Sequence, residues 1–311
     1  MAASVAVVVE GLTKAYGGVT VVDGIDLHLD HGEVVALLGP NGAGKTTTVE
    51  ILEGNRRRDE GRVEVLGFDP AHGTRAFRER IGIVLQEAGF EEAFTVGELV
   101  RLHAGYYPSP RPVREVIEVV GLTDRTDVRV RSLSGGQRRR LDLALGIVGD
   151  PELLFLDEPT TGFDPAARRR AWDLVARLRE LGTTILLTTH YLDEAEHLAD
   201  RVVVVNHGRV VASGTPAELA AGSGNNAVLT FRLPGGVPED GLPPLTGTVR
   251  FPGTETEVVT PDPTRDVHTL TGWAIERGIR LERLSLARPC LEDVYFDLVG
   301  RHDEDGGTDR A

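Results

Sequence analysis

Cysteine is almost missing from this 311-residue chain. Cys290 stands alone, which excludes an intrachain disulfide, fits a reducing compartment, and reads as a small apolar filler. Lysine is nearly as scarce: Lys14 and Lys45 are the only two, and the remaining positive charge is arginine. A composition that avoids lysine yet places one at Lys45 marks that position for attention. Positive charge as a whole is outweighed, with 48 Asp and Glu against 34 Lys and Arg for a net charge of -14. That balance disfavours nucleic acid as a partner, because phosphate neutralisation supplies most non-specific affinity. The arginine runs at 56–58, 138–140 and 168–170 are accordingly expected to be solvated helix faces, with some of Arg138 to Arg140 bracing their helix. Long apolar runs are missing too. Val34 to Leu38, Leu153 to Leu156 and Val202 to Val205 fall far short of the roughly 20 residues a bilayer span needs. No secretory signal is read at the start, so a membrane role is expected only through a partner.

What is present is the composition of an ordinary globular protein, 41% hydrophobic and 26% charged. Ser4 to Val9 and Val19 to Leu29 read as strands about a Gly17-Gly18 turn. Short apolar strands follow at Glu33 to Leu38, 81–85, 152–157, 183–189 and 201–206, with helical stretches between most of them. Such alternation predicts a parallel sheet covered on both faces. Thr95 to Tyr106, Arg114 to Gly121 and Gly135 to Gly149 read as helices without an intervening strand, an inserted helical subdomain at about 87–150. A Pro- and Gly-rich break, Pro234 to Gly247, lies inside or just before a small tail domain. The tail reads as strands at 227–233, 248–252, 255–260 and 279–286 with helices at 264–277 and 290–300. The expected domains are 1–224, 225–300 and an acidic, disordered end at 301–311.

Residues 39–47 read GPNGAGKTT, a fit to G-x-x-x-x-G-K-[ST] between an apolar strand and a helix over Lys45 to Glu53. Gly39, Gly42 and Gly44 let the backbone curl so that its N–H groups converge, and the helix dipole points at the same spot. Together with Pro40, Asn41, Ala43 and Thr47 they form the expected ATP-binding loop. Lys45 would reach the β- and γ-phosphates and the Thr46 hydroxyl would join a Mg²⁺ shell. LLFLDEPT at 153–160 ends an apolar strand in two carboxylates, and unpaired buried carboxylates are costly. Alternation along a strand separates their tasks. Asp157 would hold Mg²⁺ through its water shell, and Glu158 would orient or deprotonate the attacking water. The expected fold class is α/β. It comprises a P-loop nucleotide hydrolase core (a mainly parallel sheet, an antiparallel β subdomain, an inserted helical subdomain) and a small C-terminal α+β domain.

LSGGQ at 133–137 narrows the reading. Taken with Tyr16, the phosphate loop, Gln86, LLFLDEPT, TGFDP at 161–165 and His190, it makes the chain resemble the nucleotide-binding subunits of ABC transporters over about residues 5–220. Ser134, Gly135 and Gly136 open a helix and so could form a second anion site, which one ATP held by one chain does not require. The resemblance implies that Ser134, Gly135, Gly136, Gln137 and Asp164 meet the ATP of a partner subunit in a head-to-tail pair. It implies adenine stacking for Tyr16, whose plainer reading is a strand-edge tyrosine. It implies that Gln86 touches Mg²⁺ and the lytic water and senses a membrane partner, and that His190 contacts the γ-phosphate. VLQE at 84–87 lacks the proline often found before the glutamine, and Phe163 stands where leucine is commoner. Within the family, TTGFDPAARR, the stretch from Thr189 to Leu219 and the closing LEDVYFDLVGR resemble the drug-resistance and multidrug-export branch, the daunorubicin type. Residues 225–275 carry no resemblance.

The function this implies is that of an ATP-hydrolysing subunit, most simply a homodimer, on the cytoplasmic face of the cell membrane. ATP-driven pairing would power an integral membrane permease encoded by another chain, for export of a drug or other hydrophobic small molecule. An importer cassette, or a soluble ATPase acting on ribosomes or DNA, stays open as an alternative. One cassette and the lack of a heptad array speak against the second.

Overall fold

The computed structural model describes residues 5–84, 89, 91–221, 226–234, 241–287, 291, 292 and 295. Gln86, Cys290, the segment 301–311 and most of the expected helix over 290–300 lie outside the described residues. The chain divides into two compact units, Met1–Pro216 and Ala217–Ala311.

In the first unit, β1 (Val5–Tyr16) and β2 (Val19–Asp30) pair antiparallel about Gly17 and Gly18, whose φ of 55° and 85° the turn requires. β1 runs well past the expected Val9, because shifts in its register between Val9 and Leu12 break the alternation that would have announced its second half. β3 (Val34–Leu38) is buried throughout and feeds α1 (Lys45–Leu52), which buries Val49, Ile51 and Leu52 in a core shared with β1, β2 and β3. β4 (Glu60–Val65) pairs antiparallel with β1 and completes a three-stranded sheet in the order β2-β1-β4.

Glu53 ends α1 almost wholly buried, at 4% exposure. Burial pushes its carboxyl up to about 7; Asn55 Nδ2, donating at 2.9 Å, opposes the rise, and Asp157 and Glu50 add to it. The folded state therefore binds a proton that the unfolded chain has already lost. The sign follows: this group's contribution declines as pH climbs from the ordinary 4.5 through about 7. Glu53→Gln is expected to stabilise the protein by about 2–3 kcal/mol at pH 8 and by almost nothing at pH 4. Denaturant unfolding at the two pH values checks this, and equal gains at both would contradict it.

After α2 (Arg75–Arg78) and β5 (Ile81–Val84) comes the helical insert: α3 (Val96–Ala104), α4 (Val113–Val119) and α5 (Gly135–Ile147). Capping boxes start two of them, Thr95 with Glu98 for α3 and Ser134 with Gln137 for α5. The chain returns through β6 (Leu153–Asp157), α6 (Pro165–Glu180), β7 (Thr184–Thr189), α7 (Leu192–Leu198), β8 (Arg201–Asn206) and β9 (Arg209–Gly214). The strand order is β5-β6-β7-β3-β8-β9, parallel as far as β8 and antiparallel at β9. Parallel pairing brings the C-terminal ends of β3, β6 and β7 to one edge, with Leu38 level with Thr189 and Asp157 with Thr188. A mainly parallel sheet, an antiparallel β subdomain and a helical insert are thus all present.

α8 (Pro216–Ala221) stands at the division between the units. The second unit is a four-stranded antiparallel sheet in the order β11-β12-β10-β13. It is built from β10 (Ala227–Arg232), β11 (Thr248–Arg250), β12 (Thr256–Thr260) and, after α9 (Pro263–Glu276), β13 (Glu282–Ala287). β10 and β12 alternate buried and part-exposed positions, and Leu229, Phe231 and Val258 pack against Leu270, Trp273 and Ala274 of α9. Among the described residues no helix is long and apolar enough to cross a membrane.

Candidate functional site

The loop between β3 and α1 is held by close backbone packing. A Cβ on Gly39 would lie 2.2 Å from the Val205 carbonyl oxygen of β8, and one on Gly44 2.6 Å from that of Val21. Gly42 and Gly44 take φ of 83° and 100°, conformations that leave the N-terminus of α1 open with no side-chain cap. The Gly208 N–H donates to Ala43 O at 3.0 Å and ties the loop to the β8–β9 turn. Lys45 is buried, and its Nζ donates to Gly39 O at 2.8 Å and Pro40 O at 3.0 Å. Burial lowers its pKa, while Glu158 and then Asp157 act against that. Asn41, Gly42, Gly44, Lys45, Thr46 and Thr47 line a cleft of about 300 Å³ together with Val21 and Glu158. Gly39 and Ala43 are buried and do not line this cleft.

Asp157 and Glu158 take different surroundings, because β6 ends at Asp157 and the chain bends at Glu158. Asp157 is buried and its Oδ1 accepts from Thr188 Oγ1 at 2.5 Å. The same hydroxyl oxygen accepts the Glu158 N–H at 3.0 Å. Glu158 itself has φ 44°, a left-handed conformation that costs a side-chain-bearing residue roughly 1–3 kcal/mol. Its Oε2 accepts from Thr161 Oγ1 at 3.0 Å, and its Oε1 lies 3.3 Å from His190 Nδ1. His190 is thus brought to the same carboxylate that faces the phosphate loop.

Arg139 departs from the expected solvated arginine face. Its side chain is only 11% exposed and donates to the carbonyls of Asp157 at 3.1 Å, Glu158 at 3.3 Å and Pro159 at 3.2 Å. Asp142 Oδ2 accepts from its remaining edge at 2.9 Å. Burial pushes the Asp142 carboxyl up to about 6, against the pull of Arg139. Arg58 is likewise taken up, in a two-pronged bond to Asp69. Sequence reasoning missed Thr188, and took Arg139 only as one of three arginines of which some would brace their helix, not as a tie to the turn after β6. For Thr188 a signal existed, the polar run Thr188-Thr189-His190 closing an otherwise apolar strand; for Arg139 the run of like charges concealed it.

Ser134, Gly136, Gln137, Gly162 and Asp164 line a second cavity, of about 310 Å³, which among the described residues shares none with the first. Ser134 Oγ accepts the Gln137 N–H at 3.3 Å, Gln137 Oε1 accepts the Ser134 N–H at 2.9 Å, and Asp164 caps α6 through Ala167 N at 2.8 Å. Gly135 begins α5 beside this cavity. Tyr16 does not line the Lys45 cleft: it is 37% exposed at the end of β1, with the Arg56 guanidinium 5.2 Å and Lys14 Nζ 5.4 Å from its ring centre. Among the described residues no group of three or more His, Cys, Asp or Glu is placed to hold a metal ion.

Residues 22–161 match the family described as ABC transporter, and residues 227–290 match one described as ABC transporter domain-containing protein-like, C-terminal domain. The second match covers most of 225–275, the stretch whose sequence carried no resemblance. The daunorubicin resistance ATP-binding protein DrrA3 of Streptomyces coeruleorubidus is 41% identical over 96% of this chain and 97% of its own length. The Nod factor export ATP-binding protein I of Ralstonia nicotianae is 39% identical over 96% of this chain and 94% of its own. Among solved structures, cbiO1 from Clostridium perfringens, part of the ABC transporter complex cbiONQ, superposes with a TM-score of 0.64 at 31% identity, covering 70% of this chain and 92% of that one.

Proposed function

The chain belongs to the ABC transporter family as an ATP-binding subunit, and from that premise we propose that two copies close head to tail on two ATP molecules and drive a separately encoded membrane exporter. ATP binding and hydrolysis coupled to transport are the family's activity and this chain's. The observation that carries the pairing is the presence of two clefts of about 300 Å³ in one chain. One is built around Lys45 and the other around Ser134, each at a helix N-terminus and, among the described residues, sharing none. A single nucleotide uses one of them. An isologous pair joins the Lys45 cleft of each copy to the Ser134 cleft of the other.

Mg²⁺ fits the donor set: the Thr46 hydroxyl in the cleft and the Asp157 carboxylate at the end of β6 are hard oxygens, and magnesium is held by few protein ligands beside substrate phosphates. Bound there, it would neutralise charge on the β- and γ-phosphates. In this reading Lys45 grips the same phosphates, Glu158 orients and deprotonates the lytic water, and His190 and Thr161 hold the Glu158 carboxylate toward it. Gln86 completes the set by family resemblance.

A groove of about 590 Å³ beside the helical insert, lined by Ile83, Leu99, Leu102, His103 and Tyr106 among others, is where a cytoplasmic helix of the membrane subunit would dock. Leu102 and Tyr106 are exposed there, at 43% and 64%. The chain would then lie peripherally on the cytoplasmic face of the membrane. The names of the relatives, daunorubicin resistance and Nod factor export, favour export over import; the cargo in this proposal is a drug or other hydrophobic small molecule. Co-expression with the membrane subunit tests this. The two should co-purify from detergent extracts, and ATP turnover should rise in the complex. Co-sedimentation with ribosomes, without any membrane partner, would defeat the proposal.

A further inference from the structure

We propose that Arg139 is a positioning residue for Glu158, holding the backbone turn from which that carboxylate enters the phosphate cleft; the proposal rests on the reading of Glu158 as the group that activates water. The chain leaves β6 at Asp157 and bends at once, with Glu158 in the left-handed region. The bend turns the carbonyls of Asp157, Glu158 and Pro159 toward α5, where Arg139 donates to all of them. Buried carbonyls need donors. A guanidinium supplies several N–H groups in one rigid plane, which a lysine ammonium does not. Asp142, one turn further along α5, offsets the buried charge and fixes the plane.

The consequence for Glu158 is geometric. Its N–H is held by Thr188 on the β7 side, with the hydroxyl accepting at 3.0 Å. Its carbonyl is held by Arg139 on the α5 side at 3.3 Å. The two together keep a backbone conformation that a glutamate otherwise leaves. Without Arg139 the turn can relax toward ordinary φ and carry the carboxylate away from the cleft. The helix that presents Ser134 to the second cavity thereby also sets the hydrolytic group of its own chain.

The test compares single-turnover and steady-state ATP hydrolysis, nucleotide affinity and melting temperature for wild type, R139M, R139Q, E158Q and R139M/E158Q. A misplacement of about 1 Å costs about 100-fold, so R139M should lower kcat on that scale while leaving KM and nucleotide affinity nearly unchanged. R139Q keeps an amide donor and should recover part of the loss; it carries the comparison if the methionine variant does not fold. In the E158Q background, R139M should add no further loss and should still allow the ATP-bound pair to form. Turnover of both R139M and R139Q close to wild type would overturn the proposal. So would a raised KM at unchanged kcat, a further rate loss on top of E158Q, or failure of R139M/E158Q to pair, which would place the role of Arg139 in the Ser134 cavity instead. A fully active E158Q is a separate result: it would sink the reading of Glu158, and the assignment of Arg139 with it.

Discussion

Glutamine in place of Glu158 should lower ATP turnover about a thousandfold, the scale of a lost general base, while the protein still binds ATP-Mg and accumulates as a dimer. The substitution keeps the shape of the side chain and can keep the hydrogen bond from Thr161 Oγ1. It removes the negative charge from the wall of the cleft that faces the phosphate loop. Ground-state binding of a polyanion has no need of that charge, and the attacking water does. ATP favours the closed pair only through its differential affinity for it, so a chain that binds and does not hydrolyse should stop there. Size-exclusion chromatography with light scattering reads the outcome directly. A monomer at saturating ATP-Mg would remove the basis for head-to-tail closure, and near-normal hydrolysis would remove Glu158 from its role.

Lys45→Ala is expected to fail earlier in the cycle. The lysine is buried between the loop carbonyls it bonds and the carboxylates of Glu158 and Asp157 whose charge it feels. Removing it deletes the one buried cation among the described residues lining the cleft. Turnover should fall by about 10²–10³, the cost of losing a preorganised electrostatic contact. Unlike the Glu158 variant, this one should also bind nucleotide more weakly and show no ATP-dependent pairing. Isothermal titration and light scattering on the two variants side by side separate binding from hydrolysis. Wild-type turnover by the Lys45 variant would mean that the chemistry lies elsewhere in the chain.

The parts of the molecule readable in the amino-acid order are those where one physical demand dominates. Strands buried on both faces, such as β3 and the first four residues of β6, are apolar, and a backbone that wraps phosphate must be rich in glycine. The loop around Lys45 follows from those demands, and the carboxylates Asp157 and Glu158 stand out because they close so apolar a strand. β4 and β9 escaped because they are half-exposed: Glu60, Arg62 and Glu64 alternate with only two buried valines, and β9 has no buried position at all. Thr188 escaped because its role is to serve two neighbours at once, Asp157 and Glu158, and that depends on strand register rather than on local sequence. Arg139 was hidden by its company. A run of three arginines looks like surface, yet three carbonyls some twenty positions away decide otherwise for the middle one. Tyr16 marks the opposite limit. Resemblance assigns it a nucleotide base, and the structure gives its ring two cationic neighbours at the end of a strand.

The near-contact of position 39 with the Val205 carbonyl bears on how this protein should be mutated. Even a methyl group there has to pry β3 from β8 in the middle of the main sheet, so a dead Gly39 variant would be a casualty of assembly and would carry no information about nucleotide chemistry. Loss-of-function scans across the loop will therefore overcount catalytic positions unless each inactive protein is first checked for folding.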